Sequence, residues 1–335
     1  MAMTRPRVRI IATGGSIAGV GPHRLDYLLY SESGQRLSIE QMLARVPEVH
    51  DIAEVQGENL TSVGSTSIGP QEWLQLTQRI NQLFHQEPEL SGIVVTHGTA
   101  TLEETAYFLH LTVKSSKPVV VTGAMRPPTA VSTDADLNLL DAIRIAACPE
   151  AGAQGVLTVL NNEIHSARDV TKSNTLRVET FQSPHVGLLG YADSDGQVLF
   201  YRSVTRQHTT DTPFHVASLT RLPRVDLVYA YSGADGLLVD AVHQHRSAGL
   251  VVAGFGSGTF PPVFLEAASR AATAGLPVVL ASRSTSGRII MTPQKAEAGF
   301  IVADNLHPQK ARILLMLALT ISQERQTIQE MFYRF

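Results

Sequence analysis

Short apolar runs recur along this chain and alternate with longer stretches of helical period. Val8 to Thr13 (VRIIAT) is mostly apolar, partly β-branched, and stops at two glycines, which predicts a buried strand. Gly92 to Thr96 (GIVVT), Pro118 to Thr122 (PVVVT) and Gly155 to Leu160 (GVLTVL) predict three more. Pro70 to Phe84 and Leu102 to Val113 between them read as helices. Strands that alternate with helices point to an α/β fold, with a mainly parallel sheet covered on both faces.

A second series begins near Val225. VDLVYAY, LVVAGFG and PVVLASRS predict strands, Gly236 to Ala248 and Pro261 to Ala274 helices, and Pro308 to Leu319 an amphipathic helix. The polar, aperiodic stretch from Tyr201 to Pro223 reads as a linker. The expected organisation is an N-terminal α/β domain over 1–200, a linker over 201–223 and a smaller C-terminal α/β domain over 224–335.

Composition narrows the class. Of 335 residues, 44% are hydrophobic and 17% charged, enough for two cores. Net charge is −3, and no basic stripe with interleaved aromatics argues for nucleic acid. The single cysteine, Cys148, excludes an intrachain disulfide and a thiolate metal cluster. No apolar run approaches the ~18 residues of a membrane span, and no signal-type segment precedes the first strand. The expectation is a soluble, cytoplasmic protein without a membrane partner.

The turn after the first strand, ATGGSIAG, admits three readings. A dinucleotide site needs G-x-G-x-x-G, and this spacing fails. A P-loop needs Lys after its second glycine, where Val20 stands. A tight glycine turn could instead lift the Ser16 hydroxyl into the crevice at the strand's carboxyl end. A structural turn with a helix-capping serine stays open beside it. THGTATLEE, Thr96 to Glu104, repeats the pattern of strand, glycine turn and hydroxyls. GAMRPPTAVSTDADLNLLDA follows the next strand, and RDVTKSNT offers Lys172 among hydroxyls.

With ATGGSIAG, VVTHGTATLEETAYFL, PVVVTGAMRP, RDVTKSNT and LHPQKARILL in this order, the chain resembles the bacterial L-asparaginase/glutaminase amidohydrolases from about Val8 onward. The resemblance implies a homotetramer of intimate dimers with active sites between neighbouring subunits. It also implies hydrolysis of a side-chain amide through an acyl-enzyme, without metal or cofactor. By the same resemblance Ser16 is the first nucleophile, usually a threonine, and Tyr30 is the lid tyrosine that orients it, with Tyr27 as rival. Thr99 is the second hydroxyl and Lys172 the amine that helps deprotonate it. Ser65 matches the serine that holds the substrate α-carboxylate, and Thr66 stands at a frequent glutamine contact. Backbone groups around Gly15 and Thr99 would form the oxyanion hole, and the Ala124 carbonyl would face the leaving nitrogen. His97, Arg126 and Asp134 are read as structural, and the other histidines lack metal-ligand spacing.

Three positions depart from the family pattern. Ala100 replaces the aspartate that bonds the substrate's α-ammonium. Ser257 replaces a common asparagine reached across the subunit interface. Arg288 to Gly299 offers no match for a further glutamate. Loss of several ammonium acceptors together predicts an amidohydrolase shifted toward substrates whose α-nitrogen is absent or blocked. The alternatives are an ordinary L-asparaginase with a compensated or engineered Ala100, and a non-catalytic sensor of amino-acid-like ligands.

Overall fold

The computed structural model describes residues 5–335 and divides into two compact units, between Asp211 and Thr212. Among its described residues the first unit contains ten strands: β1 Arg7–Gly14, β2 Glu54–Val63, β3 Gly92–Thr96, β4 Val119–Thr122, β5 Val156–Leu160, β6 Glu163–Ser166, β7 Thr171–Lys172, β8 Phe181–Gln182, β9 Gly190–Ala192 and β10 Val198–Phe200. Eight of them form one sheet in the order β10-β9-β6-β5-β4-β3-β1-β2, and β7 pairs with β8. The pairs from β2 through β5 are parallel, and those from β5 to β10 antiparallel. The sheet is mixed and mainly parallel.

Alternation along the central strands divides the core. Ile10, Val94 and Val120 pack on one face with Leu139 and Ile143 of α3, Ala135–Ala147. Ile11, Ile93, Val95, Val119 and Val121 pack on the other. That face is covered by Leu76 and Ile80 of α1 (Pro70–Gln86) and by Leu102, Ala106 and Leu109 of α2 (Leu102–Thr112). Period-two alternation sends successive side chains to opposite faces, so both faces need an apolar cover. α1 starts with Pro70 in its first turn and Glu72 accepting from the Gly69 N–H at 2.9 Å.

The ten-residue β2 went unpredicted, because it is an edge strand whose residues stay half-buried or exposed. Its Glu58 accepts two 2.6 Å bonds from Arg79 of α1, fastening the edge to the covering layer. The short antiparallel strands β6, β9 and β10 also lacked a sequence signal.

The second unit is a four-stranded parallel sheet, β11 Val225–Tyr229, β12 Gly249–Gly254, β13 Val278–Ser282 and β14 Ile301–Val302, in that order. Helices α4 (Leu237–Gln244), α5 (Pro262–Thr273) and α6 (Pro308–Ala318) belong to this unit. α4 is shorter than predicted. A last helix, α7 over Arg325–Arg334, was not predicted. Val228, Leu250, Val252, Phe264 and Leu280 share the core.

Candidate active site

The strand order creates the site. β1 lies between β2 and β3, so the chain leaving β1 crosses to one side and then to the other. Such a switch point leaves a crevice at the carboxyl ends of the strands. Ser16 follows β1, Ser65 follows β2, Thr99 follows β3 and Ala124 follows β4.

Two glycines let these turns touch. Gly15 has φ +83°, and a Cβ there would lie 2.2 Å from Gly98 Cα. A Cβ on Gly98 would lie 2.8 Å from Ser65 Oγ. Three turns therefore meet nearly backbone to backbone, and their hydroxyls collect in one cleft of about 280 Å³. Ser16, Ser65 and Thr99 are 7%, 6% and 8% exposed, so each is largely desolvated yet lines that cleft.

The Ser16 hydroxyl donates to the Ala124 carbonyl. Tyr30 lines the same cleft, from a single helical turn, Tyr30–Ser33. Burial raises its phenol pKa above the ordinary value, and the neighbouring Ser16 hydroxyl opposes the rise. The rival Tyr27 packs elsewhere. Its hydroxyl donates to the Val131 carbonyl at 3.1 Å, and the Arg126 guanidinium lies 5.8 Å from its ring centre.

Lys172 Nζ donates to Thr99 Oγ1 at 2.9 Å. Burial lowers the lysine pKa, while the charge of Glu103 pulls it back up. Burial makes this ammonium easier to deprotonate, and a lysine that has lost its proton can accept one from the hydroxyl it bonds. Thr101 Oγ1 donates to the Ser65 carbonyl at 2.8 Å and braces the turn that carries Ser65.

His97 is fully buried, and its pKa is depressed to about 4 by desolvation. Its neighbours fix the neutral tautomer. Nδ1–H donates to the Gly98 carbonyl at 2.8 Å, and Nε2 accepts from Thr105 Oγ1 at 2.9 Å. Trp73 Nε1–H donates to the same threonine at 2.9 Å. This relay holds the Gly98 turn from below. Asp134 accepts from the Met125 and Arg126 amides at 2.9 and 2.8 Å and holds the loop after Ala124.

The structure thus brings Gly15, Ser16, Tyr30, Ser65, Thr66, Thr99, Ala100 and Lys172 to one cleft, with Ala124 bonded to Ser16. Ser257 belongs to the second unit, where it lines a separate cavity with Phe260 and Phe300 and its carbonyl accepts from Lys295. Beside glycine backbone, two further side chains line the cleft, those of Ser31 and Arg36. Ser31 sits in the single helical turn Tyr30–Ser33 and Arg36 in the loop after it, where the sequence carries no motif. Among the described residues, no lining side chain of the cleft is a carboxylate. Nor do three or more His, Cys, Asp or Glu side chains group to hold a metal ion among them.

Comparison with known proteins matches residues 7–206 to the family described as "Asparaginase, N-terminal" and residues 224–332 to "Glutaminase/Asparaginase C-terminal domain". The chain is 44% identical to L-asparaginase 2 of Bacillus subtilis, over 98% of this chain and 87% of that protein. It is 40% identical to L-asparaginase 2 of Escherichia coli, over 100% of this chain and 94% of that one. A crystal structure of a probable cytoplasmic L-asparaginase from Campylobacter jejuni superposes with a TM-score of 0.93 at 39% identity. The match covers 99% of this chain and 100% of that one.

Proposed function

The chain belongs to the asparaginase family of amidohydrolases, which act on linear amides, and from that premise we propose how its own cleft works. The Ser16 hydroxyl attacks the side-chain carboxamide carbon, oriented by Tyr30. The C–N bond breaks, the Ser16 proton leaves with the nitrogen as ammonia, and an ester forms on Ser16. Backbone N–H groups around Gly15 and Thr99 stabilise the oxyanion. Water then attacks the ester, and the alcohol of Ser16 is regenerated. Neutral Lys172 takes the proton of Thr99, so that Thr99 can accept one from the attacking water.

The substrate reading rests on one observation: Ala100 adjoins Thr99 in a cleft whose described lining has no carboxylate. An α-ammonium placed there without acceptors would cost several kcal/mol, of the order found for unpaired buried charges. We propose amides whose α-nitrogen is absent, acylated or alkylated, such as succinamate or N-substituted asparagine or glutamine. Ammonia release by the pure protein on these compounds, L-asparagine, D-asparagine and L-glutamine is the test, with Ser16→Ala as control. Better turnover of the deaminated or N-blocked amides supports the reading, and preference for L-asparagine overturns it.

A second reading is an ordinary L-asparaginase, favoured by the L-asparaginase 2 relatives at 40–44% identity. Its ammonium acceptors would then come from a neighbouring subunit of a homotetramer, with Ser257 reaching across the interface. Loss of L-asparagine turnover on dilution to monomers would support it. A sensor without catalysis would bind ligand and release no ammonia at all.

A further inference from the structure

The cleft carries a permanently cationic side chain, Arg36, beside the amine of Lys172, against no lining carboxylate among the described residues. Lys172 is engaged with Thr99. Arg36 forms no ion pair among the described residues, and its Nη1 reaches only the Gly34 and Ser62 carbonyls, at 3.3 and 3.4 Å. Bonds this long use little of a guanidinium's five donors.

The position of Arg36 is built in. Its backbone bridges to Gly19, and the flanking Leu37 N–H donates to the Ala18 carbonyl at 2.7 Å. The segment is thus laid along the turn that carries Ser16. Its guanidinium faces the opposite wall: a Cβ built on Gly64 would lie 3.8 Å from Arg36 Nη2 and 3.9 Å from Thr66 Oγ1. Gly64 leaves that space open beside Ser65.

We propose that Arg36 is a specificity-determining residue that binds the substrate's carboxylate, together with Ser65 and Thr66, and selects anionic amides. This rests on the amidohydrolase reading above. A planar fork beside two hydroxyls suits a carboxylate, whose oxygens accept two parallel bonds. The site also offsets the attraction lost with the missing ammonium acceptors, since an anion without an ammonium meets only positive charge.

The test compares wild type, Arg36→Gln and Arg36→Lys on succinamate, an anion, and succinamide, its neutral counterpart. Arg36→Gln is expected to raise KM for succinamate roughly 10- to 100-fold, the range for a lost charge-assisted bond. KM for succinamide and kcat for both should move far less, and the succinamate difference should shrink at high salt. Equal KM changes for the two amides, or none, overturn the proposal. Succinate binding by calorimetry reads Arg36 without turnover. Unweakened succinate binding in Arg36→Gln overturns the Arg36 role even if the substrate panel succeeds. Weakened binding sustains that role even if L-asparagine proves the better substrate. Arg36→Lys keeps the charge and loses the fork. If Arg36→Gln does not fold, a lysine variant with wild-type KM and succinate affinity overturns the bidentate role.

Discussion

The backbone N–H of Lys172 donates to Glu103 Oε2 at 2.7 Å. This bond ties β7 to the first turn of α2, the helix that follows Thr99. One carboxylate therefore positions the lysine through its backbone and tunes its Nζ through charge. Glu103→Gln keeps an acceptor and removes the charge that raises the lysine pKa. The acid limb of the kcat/KM profile, set by deprotonation of Lys172, should move to lower pH. An unmoved limb would show that another group sets it. Glu103→Ala removes the acceptor too, and should cost about 1–3 kcal/mol in urea unfolding. Lys172→Ala should lower kcat roughly 10²- to 10⁴-fold while retaining ligand binding, read by calorimetry.

His97 predicts an acid weakness. Unfolded, it takes a proton near 6.5; folded, it resists protonation down to about 4. Between these values the unfolded chain holds more protons. The stability from this histidine is complete above pH 6.5 and is lost as pH falls toward 4, by about 3 kcal/mol in all. His97→Gln should be less stable at neutral pH, because its relay is disturbed, yet should lose about that much less between pH 7 and 4. Parallel stability curves for the two proteins would rule the histidine out.

Tyr30 and Tyr27 separate by geometry. Tyr30 shares the cleft with Ser16, whereas Tyr27 bonds the Val131 carbonyl. Tyr30→Phe should lower kcat by roughly tenfold or more. Tyr27→Phe should cost about 0.5–1.5 kcal/mol of loop stability and spare kcat. Steady-state kinetics on both variants decide the assignment.

Gly15→Ala should damage both fold and catalysis. Its φ of +83° is strained for alanine, and the new methyl would meet Gly98 Cα at 2.2 Å. A loss of at least about 1–3 kcal/mol is expected. Wild-type melting and kcat in this variant would contradict the contact between the two turns.

Ala100→Asp restores a carboxylate beside Thr99. It should improve kcat/KM for L-asparagine and weaken succinamate, whose charge it repels. A rise for both amides would mean that the aspartate acts on the chemistry and not on selection.

Much of this protein follows from local pattern. GIVVT and PVVVT become central strands because β-branched apolar runs between turns suit a sheet buried on both faces. The glycine turns were legible as turns, and Ser16, Thr99 and Lys172 stood out as hydroxyls and an amine beside them. The edge strand β2 did not, since its exposed side carries polar residues and its partner is 47 residues away, Arg7 opposite Glu54. Arg36 did not either, because nothing local distinguishes an arginine in an aperiodic loop. The sequence by itself determined the central parallel strands, the main covering helices and the kinds of chemistry available at their ends. Only the tertiary structure decided that Gly15 lies on Gly98, that Tyr30 and not Tyr27 shares the cleft with Ser16, and that Arg36 lines that cleft. Those relations depend on strand order and on contacts between residues distant in the chain, which no local periodicity encodes.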